Sequence, residues 1–144
     1  MQADLYKKTT DRNQYLLTSS CHPALVTKKI PFSLALRIVR ICSNSETRDN
    51  RHGELKQLLV SRGYRAGVVD NAIEKARTVP RQEALKKVEK EKQARPVFVV
   101  QYDPRLPSIT SIARRHWRSM VSRDPKLQEV FPAPPLVSYK CHLT

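Results

Sequence analysis

Between residues 33 and 79 the apolar side chains recur at helical spacing in three successive windows, and no other feature of the chain limits its fold as tightly. In SLALRIVRICS, Leu34, Ile38 and Ile41 fall on one face, and Ser33 is placed to cap the start. Leu55, Leu58 and Leu59 form a second stripe in TRDNRHGELKQLLVSR, where Gly53 lowers helix propensity and puts the firm part of the helix after it. The third stripe, in AGVVDNAIEKARTV, uses Val68, Val69, Ala72, Ile73 and Ala76, and Gly63 in the intervening RGY is a stop signal. Helices of this kind must bury one face against each other, so the spacing predicts a helical unit containing a helix-turn-helix-like pair joined at RGY.

The flanks read differently. Leu5 and Tyr6 on one side of a polar TTDRN, with Tyr15, Leu16 and Leu17 on the other, predict a β-hairpin that ends at CHP. Pro23 and Pro31 then bracket an irregular link. In PRQEALKKVEKEKQ, residues 80–93, Leu85 and Val88 are the large apolar residues among alternating charges, which predicts a solvated helical connector outside the core. PVFVVQY, residues 96–102, is β-branched and aromatic and ends at the turn-forming Asp103-Pro104, so it predicts a strand. A helix should follow from Ser108, with Ile109, Ile112, Ala113, Trp117 and Met120 inward. Asp124-Pro125 opens a short helix through Phe131, and FPAPPLVSYK is extended. The predicted fold is therefore mainly α, with a small N-terminal β-hairpin over residues 1–22, a helical bundle over 30–93, and a strand, a basic helix and a proline-rich tail over 94–144.

Charge narrows the partners. The net charge of +14 divides into about +5, +4 and +5 over residues 1–43, 44–93 and 94–144, so no single tail carries it. A field of that sign favours polyanions, nucleic acid first among them. Residues 12–45 lack any carboxylate, which makes Lys28, Lys29, Arg37 and Arg40 a candidate phosphate-facing strip; Arg62, Arg114, Arg115 and Arg118 are the further candidates. Tyr64 suits either base stacking or core packing, whereas Trp117 shares the apolar stripe of its helix.

Other chemistries lack their residues. Cys21, Cys42 and Cys141 form an odd set without CxxC spacing, which fits a reducing, intracellular compartment and leaves nucleus or cytoplasm open. Adjacent Cys21 and His22 would point to opposite faces of a strand, so no metal site and no cofactor is expected. No Gly-rich phosphate loop, HExxH or nucleophile elbow occurs, and the aspartates are scattered, so the chain reads as a non-enzyme. No run of about 18 apolar residues suggests a membrane span.

DLYKKTTDRNQYLLTSSCHP, IPFSLALRIVRICS, ELKQLLVSRGY, VVDNAIEKA, PVFVVQYDP and VFPAPPLVSYK together resemble the region just after the catalytic palm in reverse transcriptases of animal Penelope-like retroelements. Related chains often carry a helix-turn-helix label. The resemblance implies that residues 4–19 are the last palm strands and that about 30–77 form a thumb-like bundle along a template-primer duplex. It also implies a partner that is RNA, DNA or RNA–DNA hybrid, together with a separate palm domain, since the chain has no YxDD aspartates of its own. The expected function is then a non-catalytic, reverse-transcriptase-derived fragment bound to the phosphate backbone. The competing expectation is a protein-interaction remnant that self-associates through an unpaired hairpin edge.

Overall fold

The computed structural model describes residues 3–86 and 95–140. The chain divides into two compact units, Met1–Ser20 with Ala24–Lys87 and Cys21–Pro23 with Val88–Thr144.

The first unit is built on α1 (Ala24–Ile41), α2 (Ser45–Ser61), α3 (Ala66–Arg77) and the short α4 (Arg81–Leu85). Helix α1 begins at Ala24, not at Ser33, and carries Pro31 in its interior. A proline there removes one backbone donor, at a cost of about 3 kcal/mol in an isolated helix. The helix continues because Pro31 lies on the buried face with Ala35, Ile38 and Val39, so tertiary burial overrides local propensity. Ser33 caps nothing; its hydroxyl donates back to Lys29 O at 2.7 Å.

Helix α2 starts at an Asn44 cap, whose side chain accepts from the Glu46 N–H, and runs through Gly53 without a break. Gly53 faces open space, so its propensity penalty falls on an exposed position while His52, Leu55 and Leu59 hold the helix to the core. Its end is a Schellman turn. Gly63 takes φ +87°, its N–H donates to Val60 O at 3.0 Å, and the Tyr64 N–H reaches back to Leu59 O at 3.1 Å. Tyr64 then buries its ring in the same core.

Helix α3 buries Val69, Ala72, Ile73 and Ala76, but Val68 is 47% exposed and belongs to the outer face. Helix α4 is no solvated connector. Ala84 is buried, Arg40 Nε donates to Ala84 O at 2.7 Å, and Arg81 Nε donates to Arg40 O at 3.2 Å. The rest of the expected connector, residues 87–94, lies outside the described residues.

The N-terminal β-hairpin is corrected: residues 3–23 contain no strand. Apart from local turn bonds such as Asp11 N–H to Lys8 O and Ser20 N–H to Leu17 O, their polar groups pair with the helical unit. The Ser43 N–H donates to Ala3 O, the Thr18 N–H donates to Arg62 O, Arg51 grips Asp4 at 2.6 Å, and Lys7 meets Glu54 at 2.7 Å. Leu5 and Tyr15 pack against the helical core, so the apolar residues that looked like strand faces are covered by helices. Among the described residues the expected sticky hairpin edge is therefore absent.

The second unit holds β1 (Val97–Gln101), α5 (Ile109–Arg123), α6 (Pro125–Val130) and β2 (Leu136–Lys140). The strands pair in parallel, Val97 opposite Leu136 and Gln101 opposite Lys140. That pairing accounts for the helices between them, because parallel neighbours need a long crossover. The extended proline-rich tail thus contains a strand that its composition concealed. Ser108 caps α5 as expected, but the helix has no fully buried residue: Ile112 and Met120 are exposed, and Trp117 is half-buried against Phe131 at 6.4 Å between ring centres.

Gly63 makes the Schellman turn testable. A Cβ there would lie 2.7 Å from Thr18 Oγ1 as well as in the left-handed region. Gly63→Ala should cost about 1–3 kcal/mol, read as a lowered thermal midpoint, whereas Gly53→Ala should raise it; equal effects would contradict this geometry.

Candidate nucleic-acid interface

The eight expected site residues divide by what their side chains do. Lys28 and Lys29 stand exposed on the first half of α1, and neither has a partner among the described residues. Arg37 is exposed on the same helix and lines a recess with Arg51 and Glu54. Arg40 differs from them, because its guanidinium is engaged with the Ala84 carbonyl and helps hold α4 against α1. Arg62 caps α2, and its carbonyl receives Thr18. Arg114, Arg115 and Arg118 are exposed on α5 in the second unit.

A second group of residues assembles on the outer side of the helix pair. Arg65 follows the turn directly as the cap residue of α3, with no side-chain cap bond. Val68, Asn71 and Lys75 continue from it at helical spacing and are exposed. The carboxylates of α3 are paired, Asp70 with Lys56 of α2 at 2.7 Å and Glu74 with Arg77 at 3.0 Å, although Arg77 also bonds Asp49 at 2.7 Å. Arg65 and Lys75 therefore leave this face with a net positive sign. Beside it lies an open groove of about 300 Å3, lined by Thr18, Thr27, Lys28, Tyr64, Arg65 and Val68. Sequence reasoning named Lys28 but not Arg65 or the groove. RGYR marks the turn, yet nothing local says that α1 will pack beside α3 and bring position 28 to position 65.

Two titrating clusters stabilise this scaffold. Arg51, with its short bonds to Asp4, holds that carboxyl well below the usual carboxylate range, and Lys7 followed by Arg51 lowers Glu54. His52 is 1% exposed, with Nε2 3.3 Å from Ala35 O and Nδ1 buried without a partner. Burial pushes its pKa down, and the Arg77 and Arg48 charges reinforce the shift against the opposing Ala35 bond and Asp49.

Among the described residues no group of three or more His, Cys, Asp or Glu could hold a metal ion. Cys42 is buried, its thiol pushed up by desolvation, and Cys21 is exposed. Cys141 and His142 lie outside the described residues. No helix among the described residues is long and apolar enough to cross a membrane.

A lowered folded-state histidine pKa means that the unfolded chain binds the proton more readily. The His52 contribution should thus be complete above the ordinary value near 6.5 and should fall away as pH drops below it. The depressed Asp4 and Glu54 act at lower pH, with stability present above their unfolded values and lost as pH falls through the folded ones. Denaturant melts between pH 7 and 5 should show a loss of stability for the wild-type chain that His52→Phe removes; a parallel loss in both would contradict the assignment.

No curated protein and no solved structure matches the chain. The family model described as the animal helix-turn-helix domain matches residues 14–74, from the segment crossing the helices through most of α3. That match overturns the resemblance to a post-palm reverse-transcriptase thumb, and with it the expectation of a retroelement-derived fragment; the separate palm loses its basis as a partner. Helix-turn-helix domains are non-catalytic units. Such domains generally take nucleic acid as their partner. The helix pair joined at Arg62–Arg65 lies within residues 14–74, the region that is similar to the animal helix-turn-helix domain.

Proposed function

We propose that the first unit binds double-stranded DNA, with α3 laid in the major groove as the reading helix. The observation that carries this reading is the outer stripe Arg65, Val68, Asn71 and Lys75, which contains two cations and no carboxylate, while the neighbouring Asp70 and Glu74 are paired with Lys56 and Arg77. Arginine and lysine there suit phosphates or guanine edges, an asparagine amide can pair with both Hoogsteen-edge groups of adenine, and a valine methyl suits the thymine methyl. DNA is favoured over RNA because the B-form major groove admits a helix, whereas that of A-form RNA is too deep and narrow. The remaining free cations, Lys28, Lys29, Arg37 and Arg62 in this unit and Arg114, Arg115 and Arg118 in the other, add long-range attraction.

Fluorescence anisotropy with B-form DNA, double-stranded RNA and a hybrid, each across a salt series, tests the reading. DNA should bind most tightly. Replacing Arg65 and Lys75 together by Gln should weaken it by more than tenfold and flatten the salt dependence by about two phosphates. Asn71→Ala should reduce discrimination between DNA sequences more than it reduces non-specific affinity. No binding at low salt, or equal binding of RNA, would overturn the proposal.

A further inference from the structure

We infer that the groove between α1 and the start of α3 is a seat for a phosphate group. It deepens the nucleic-acid reading, and rests on it for the source of the phosphate. Three independent features converge there. The first is charge: Lys28 and Arg65 line the groove without a partner, and no carboxylate lines it. The second is backbone: α3, whose cap residue Arg65 lines the groove, has no side-chain cap and no acidic residue in its first turn, and the Ala66 and Gly67 amides, adjacent in sequence to that lining, find no acceptor among the described residues. Unsatisfied amides at a helix start favour an anion.

The third feature is the least expected on structural grounds. Tyr64 lines the groove, is 6% exposed, and keeps its hydroxyl buried with no hydrogen-bond partner. A buried hydroxyl without a partner costs about 1–3 kcal/mol, so a chain that needed only the ring would be better served by phenylalanine. Desolvation raises the Tyr64 pKa, which keeps the hydroxyl protonated as a donor. Lysine, arginine, two amides and a phenol are all donors, which matches the acceptor-only oxygens of a phosphodiester or of free phosphate.

The test is an amide NMR titration of the full chain with inorganic phosphate at constant ionic strength, with chloride as the control, repeated for Tyr64→Phe and Lys28→Gln. Phosphate should shift Ala66 and Gly67 saturably while chloride does not. Each substitution should weaken that binding about fivefold or more, and Tyr64→Phe should leave the melting temperature unchanged or raised. A purely structural tyrosine would give the opposite pattern, a lowered melting temperature and unaltered phosphate shifts, and would overturn the seat. Absence of saturable shifts overturns it as well, even if DNA binds elsewhere. A short DNA duplex added to the phosphate-loaded chain should displace the phosphate signals. If it does not, free phosphate is the ligand and the nucleic-acid source is rejected, while the seat stands.

Discussion

The first unit depends on the turn at Gly63. The Gly63 and Tyr64 amides fold back onto the Val60 and Leu59 carbonyls, which closes α2 and sends the chain into α3 after a single residue, Arg65. Leu59, fully buried, and Tyr64 meet under that turn, so helix termination and core formation are one event. The same turn receives Thr18 through Arg62 O, which fastens the N-terminal segment across the bundle. Without the left-handed glycine, the direction of α3 and everything on its outer face would change.

Function follows from what this arrangement leaves uncovered. The inner faces of α1, α2 and α3 supply an apolar core, and the acidic residues of α3 are paired with Lys56 and with an Arg77 that also meets Asp49. What remains outward is short, small and cationic: Arg65, Ala66, Gly67, Val68, Asn71 and Lys75. Exposed ion pairs add little to stability. Their effect here is on sign, because they turn a helix with balanced charges into one that presents positive charge to a ligand.

Much of the helical unit was legible in the sequence. Leu55, Leu59, Val69, Ile73 and Ala76 keep a helical period, and RGY carries a glycine where a left-handed residue is needed, so α2, α3 and their junction follow from local rules. The start of α1 was not legible, since the tolerance of Pro31 depends on a core that local propensity does not describe. Nor was the fate of residues 3–20. Leu5 and Tyr15 suit a strand, but what they pack against is set by Asp4–Arg51 and Lys7–Glu54, pairs 47 residues apart in each case. The strand at Leu136–Lys140 was hidden for a similar reason, because its partner lies on the far side of two helices. Cations were easy to find and hard to sort. Arg37 and Arg40 look equivalent by spacing, yet only Arg40 meets the Ala84 carbonyl, and only packing joins Lys28 to Arg65.

The measurement that bears most directly on this account is native-state amide hydrogen exchange at Gly63, Tyr64 and Thr18. If the turn organises the unit, the Gly63 and Tyr64 amides should exchange only through global unfolding, as slowly as the core amides of Leu59 and Ile73, and Thr18 should be clearly protected despite lying outside any helix. Fast exchange at Gly63 and Tyr64 while α2 and α3 remain protected would contradict it, because the helices would then be stable without the turn that is held to join them.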